Sequence, residues 1–181
     1  MYKKSFKYKK LLRVSGNGNA HQCALNLLRL QKAFGCNIPV YQGQDVRLVE
    51  KVNETDPADW YHGPDAFGGK ADVAPSTASI DPNLIEKEKG VLALIRLIKE
   101  HENEINLIAI GPLTNLAMAV NLEPDLPKKL QSLTIMGGNQ YSIGNTEQYL
   151  SEYNFSADPE AAAVTLERYT PHVSTIIILY N

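Results

Sequence analysis

The sequence has little of what marks several large protein classes. Cysteine occurs only twice, at Cys23 and Cys36, and neither has a Cys-x-x-Cys partner. Two such thiols make no disulfide framework and fit reduced, semi-buried side chains. No apolar run approaches the roughly 18 residues of a membrane span. The lysine-rich start, residues 1–10, is followed only by Leu11-Leu12, too short for the apolar part of a signal peptide. Charge of one sign is lacking too: 18 basic and 20 acidic residues leave a formal net charge of −2. There is no overall basic field for nucleic acid. The expectation is a soluble cytoplasmic protein that binds neither nucleic acid nor membrane.

Common catalytic signatures are missing as well. Gly16-x-Gly18 lacks the third glycine of a dinucleotide loop, because His21 stands in its place. No phosphate loop, Gly-x-Ser-x-Gly elbow or His-Glu-x-x-His pair occurs, and His21, His62, His101 and His172 are widely spaced. Acid is scarce at the start, where the first acidic residue is Asp45.

What remains is a globular composition, with 44% hydrophobic and 21% charged residues. Residues 1–10 read as a solvated basic tail and residues 11–181 as one partial domain. A short strand over 11–14 runs into Gly16-Asn17-Gly18-Asn19. A helix is expected over 20–34, with Asn19 as its cap and Gly35 as its left-handed stop. Residues 38–41 read as a strand and 46–79 as mostly loop. Asp81-Pro82 predicts a helix start, with the helix running to about Glu100. Residues 105–110 read as a strand covered on both faces, leading into Gly111-Pro112-Leu113-Thr114-Asn115 and a helical turn. Residues 133–136 form another buried strand, stopped by Gly137-Gly138. Asp158-Pro159 opens a further helix, and 173–179 is the last strand.

Alternating helices and buried strands predict an α/β fold: an open, mainly parallel sheet with helices on both faces. Ligands then sit beyond the carboxyl ends of the strands. Three loops rich in Gly and Asn leave such ends, at 16–19, 111–115 and 137–145.

Three stretches carry the functional signal: Gly111-Pro112-Leu113-Thr114-Asn115-Leu116-Ala117; Met136-Gly137-Gly138; and Glu152-Tyr153-Asn154-Phe155 followed by Asp158-Pro159-Glu160-Ala161-Ala162. In order and separation they resemble the inosine/uridine-preferring nucleoside hydrolases. Gly16-Asn17, with Gln22 and Asn26 behind it, resembles that family's Gly-Asn loop and helix. His62-Gly63 with Gly68-Gly69 resembles its His-Gly loop. The resemblance implies a nucleoside hydrolase-like fold and hydrolysis of the N-glycosidic bond of ribonucleosides to base and ribose. It implies ribose contacts from Asn145, Glu152 and Asn154 beside the Met136 backbone. Asn17 would lie near ribose and water, and His62 near the base. The Thr114 carbonyl would be a calcium ligand. Asn and Glu suit a sugar, whose hydroxyls both donate and accept. The separation of Met136 and Asn145 is one residue longer than in the family.

Two family features have no counterpart. There is no Asp-x-Asp-x-Gly-x-Asp-Asp cluster and no distal His-Asp pair. By resemblance calcium is the cofactor, but calcium takes about 6–8 oxygen ligands, several of them charged. Tight binding is therefore not expected, no catalytic residue is assigned, and hydrolysis is expected to be impaired. The alternative is a non-catalytic nucleoside or ribose binder, or a structural remnant of the same fold. The expected partner is a small-molecule nucleoside, with homo-oligomerisation left open. The resemblance reads as a domain cut short at both ends.

Overall fold

A computed structural model of the chain describes residues 11–13, 19–49, 62–70, 72, 74–146 and 150–180. Among the described residues six strands fall into two three-stranded sheets, all pairs parallel. In the first sheet β1 (Leu11–Arg13), β2 (Val40–Gln42) and β3 (Ile85–Glu86) lie side by side in that order. In the second, β5 (Ser132–Asn139) is central between β4 (Asn106–Ala109) and β6 (Thr175–Tyr180). The three runs expected in one parallel sheet, near 105–110, 133–136 and 173–179, thus do share one.

Helix α1 (Ala20–Phe34) is bounded as its local chemistry dictates. The Asn19 side chain accepts from the His21 and Gln22 N–H groups, and Gly35 turns left-handed at φ 62°. The helix expected from Asp81 begins later. Pro82–Leu84 is a single 3-10 turn, β3 follows, and α2 starts at Gly90 and runs to Glu100. The reason is long-range. Val40↔Ile85 and Tyr41↔Glu86 pair in the sheet, and main-chain pairing there overrides the local helical pattern. Gly90 is needed at the join, since a Cβ on it would sit 3.0 Å from the Gln42 carbonyl oxygen.

The main core lies on one side of the second sheet. Leu133 and Ile135 of β5 are fully buried against α2, α3 (Thr114–Leu122) and α5 (Pro159–Tyr169). Tyr169 is buried there too, with its hydroxyl donating to the Leu116 carbonyl at 3.1 Å. Burial pushes that phenol above its ordinary range. The opposite rows are open. Ile108 and Ile176 flank Thr134, and Ile178 lies beside Met136. Ile108 is 64% exposed and Ile176 61%. The 105–110 strand is therefore covered on one face, not two. β5 also runs through Gly137-Gly138 instead of stopping there. A register shift between Met136 and Asn139, with Gly138 at φ 75°, carries the strand on to the pair Asn139↔Tyr180.

Among the described residues no helix is long and apolar enough to cross a membrane. Cys23 is buried and Cys36 exposed, and neither is in a disulfide.

Candidate functional site

The site assembles at the carboxyl end of β5, where the strand bulges and α4 (Tyr153–Ala157) returns against it. Glu152 caps α4 and is only 4% exposed. Its Oε1 accepts from the Asn154 N–H at 2.8 Å. Its Oε2 accepts from the Phe155 N–H at 3.1 Å and from the Gly138 N–H at 3.0 Å. A carboxylate offers about four acceptor positions. Three are filled by backbone donors, and the fourth is on Oε1.

Asn154 is equally buried and reaches back to the strand. Its Nδ2 donates to the Met136 carbonyl at 3.0 Å and contacts Met136 Sδ at 3.2 Å. Asn145 closes the third side. Its Oδ1 accepts from the Tyr153 N–H at 2.7 Å, and its own N–H donates to the Ser151 carbonyl at 3.0 Å. Two glycines permit this closeness. A Cβ on Gly137 would meet Phe155 Cε1 at 2.3 Å, and one on Gly144 would lie 2.0 Å from the Ser151 carbonyl oxygen.

Met136, Glu152 and Asn154, three of the residues expected from sequence, are therefore joined by hydrogen bonds, and Asn145, a fourth, is tied to the adjoining Ser151 and Tyr153 backbone. His62 is elsewhere, exposed at the start of a turn whose closure is the Gly68 N–H on the His62 carbonyl at 2.8 Å. Asn17 lies outside the described residues. Sequence reasoning missed the Gly138 N–H and the Ser151 carbonyl, because backbone partners leave no residue-type signature. Gly144 was the available signal for a close approach.

Thr114 is the first residue of α3, at the end of the β4 loop, and is buried. Its hydroxyl donates to Asp158 Oδ2 at 2.5 Å. The same oxygen accepts from the Leu48 N–H at 2.8 Å, while Oδ1 caps α5 through the Ala161 N–H at 3.1 Å. Asp158 is thus the expected helix cap, occupied on both oxygens. Among the described residues no three His, Cys, Asp or Glu side chains are grouped to hold a metal. One backbone carbonyl at Thr114 does not make a calcium cage, so the donors here do not fit that ion.

A parallel α/β fold with a buried carboxylate and amides gathered at a strand end places the chain in a definite class. It belongs to the family of inosine-uridine preferring nucleoside hydrolases, whose pattern matches residues 2–180. It is 30% identical over 155 residues to a probable uridine nucleosidase 1 of Oryza sativa subsp. japonica, covering 85% of this chain and 45% of that one. It is 30% identical over 168 residues to the pyrimidine-specific ribonucleoside hydrolase RihB of Escherichia coli O9:H4 (strain HS), covering 93% and 50%. Among solved structures, the plant nucleoside hydrolase PpNRh1 superposes with a TM-score of 0.78 at 30% identity, covering 95% of this chain and 51% of that one. A purine-preferring ribonucleoside hydrolase from Gardnerella vaginalis gives 0.75 at 26% identity, covering 92% and 51%. The chain spans about half the length of these relatives.

Proposed function

We propose that this chain binds ribonucleosides through the sugar, and that its inherited reaction is hydrolysis of the N-glycosidic bond to base and ribose. The observation that supports this best is the buried Glu152–Asn154 pair held on Met136 and Gly138. The remaining acceptor position on Glu152 Oε1 suits a ribose hydroxyl. Asn154, Asn145 and the Met136 backbone frame the same sugar, and His62 is assigned to the base. Asn17 is assigned to the ribose and attacking-water side.

Turnover by residues 1–181 alone is expected to be weak or absent. Breaking an N-ribosidic bond needs a stabilised cation-like sugar, a poised water and help for the leaving base. Contacts that hold substrate and transition state equally do not accelerate the chemical step. The acids that would make the difference are not among those gathered at this site. The Thr114 carbonyl that the resemblance offers to calcium has no grouped acidic side chains beside it among the described residues, so tight calcium binding is not expected. The same deficit favours a second reading, a non-catalytic nucleoside or ribose binder.

The test is calorimetry with ribose, inosine, uridine and calcium, beside chromatography of free base released from both nucleosides. Relatives named for pyrimidine and for purine nucleosides make both substrates necessary. Ribose and nucleoside binding without robust turnover is the expected result. No binding of any of them would sink the ribose site. Strong calcium-dependent release of base would overturn the impairment.

A further inference from the structure

The side of α1 that packs inward carries a polar stripe that the ribose network does not use. Gln22, Asn26 and Arg29 stand four and three residues apart, so they share one face of the helix. Asn26 and Arg29 are 5% and 2% exposed, an unusual depth for an arginine. Asn26 Oδ1 accepts from Gln22 Nε2 at 3.0 Å and from Arg29 Nη1 at 2.9 Å. This fixes the amide so that its Nδ2 donates outward, to the Asp65 carbonyl at 2.8 Å. Arg29 Nε donates to the Pro75 carbonyl at 2.5 Å, and Nη2 to the Ala74 carbonyl at 3.3 Å. Its guanidinium lies 5.0 Å from the centre of the Phe67 ring.

The partners outside the helix are Asp65 and Phe67, in the turn that begins at His62, and Ala74 and Pro75 beyond it. The turn has little regular structure to hold it. Gly63, Gly68, Gly69 and even Ala66 have positive φ, Ala66 at 54°. Asp65 Oδ1 accepts from the Phe67 and Gly69 N–H groups, and Gly68 closes on His62. A loop so wound, tied to a helix by a buried guanidinium and amide, has its position set by those side chains.

We infer that Asn26 and Arg29 are positioning residues for His62, holding the His62–Lys70 turn where a nucleobase would be read. The inference rests on the assignment of His62 to the base.

The test uses Arg29→Lys, which keeps the charge but loses the planar fork and its stacking. Phe67→Leu removes the ring from the loop side and leaves α1 intact, in case the arginine variant folds poorly. Hydrogen exchange and calorimetry are read together. Amides of Phe67, Gly68 and Gly69 should exchange about 10-fold faster while those of α3 and α5 stay unchanged. Inosine affinity should fall about 10-fold and ribose affinity by less than about 2-fold, since only the base contact is misplaced. Unchanged exchange at these amides in both variants would overturn the inference. So would equal losses for inosine and ribose. A wild-type chain that bound neither ligand would remove the assignment of His62 together with the ribose site. The exchange data would still show whether the clamp holds the turn.

Discussion

Glu152 is the residue on which most of the site's geometry converges. One carboxylate caps α4, ties Gly138 of β5 and keeps a single acceptor position. Replacing it with Gln puts an NH2 group against backbone N–H donors, so at least one buried donor loses its partner. Glu152→Gln is expected to cost about 1–3 kcal/mol in urea unfolding. Its ribose affinity should fall about 10-fold or more by calorimetry, the loss of a charge-assisted hydrogen bond. A variant of wild-type stability and affinity would remove Glu152 from the site. The grouping of Glu152 with Asn154 and Met136 was readable from sequence because these residues stand in specific, ordered stretches. Arg29 was not readable. On a helical wheel it is one more basic residue, and only the arrival of Phe67, Ala74 and Pro75 from far along the chain makes it a buried donor.

At the scale of elements, legibility followed the range of the forces involved. Helix α1 was readable to the residue because Asn19 and Gly35 act within a turn of its ends. The segment from Asp81 was not, because β2 recruits Ile85 and Glu86 into a sheet. Its ion pair is a further consequence of that shift. With α2 starting at Gly90, Glu88 lies just ahead of the helix and meets Arg96 at 2.6 Å. The hydrogen bond from Arg96 holds the Glu88 carboxyl below its usual value of 4.5. A carboxylate depressed on folding contributes stability above its unfolded pKa, and that contribution is lost as pH falls through the folded value. Wild type should therefore lose more stability between pH 7 and pH 3 than Glu88→Gln does, by urea midpoints. The pair is partly exposed, so the difference should be small and should shrink further in high salt. An identical acid slope in the two proteins would show that the ion pair contributes nothing.

For the whole molecule, the fold class was legible because parallel crossovers follow from alternating helices and strands. The open side of the second sheet was not, because apolar strand residues look alike whether or not something lies over them. Ile108, Ile176 and Ile178 form an exposed apolar surface beside an edge strand that carries no charge from Thr175 to Tyr180. Such an edge invites association. Sedimentation of residues 1–181 should show concentration-dependent self-association, and Ile176→Thr with Ile178→Thr should reduce it without changing the circular dichroism. Equal sedimentation of the two would mean that this face is inert. The site sits at the opposite extreme of constraint. Asn139 Nδ2 donates to the Leu150 carbonyl at 2.8 Å, and Gly138 meets Glu152, so the intervening segment is clasped at its base. Closure entropy grows only with the logarithm of length, so one added residue in a loop this size costs about 0.1 kcal/mol. One residue added between Met136 and Asn145 would thus be nearly free. Length at this rim can drift while the clasp and the carboxylate beneath it stay in place.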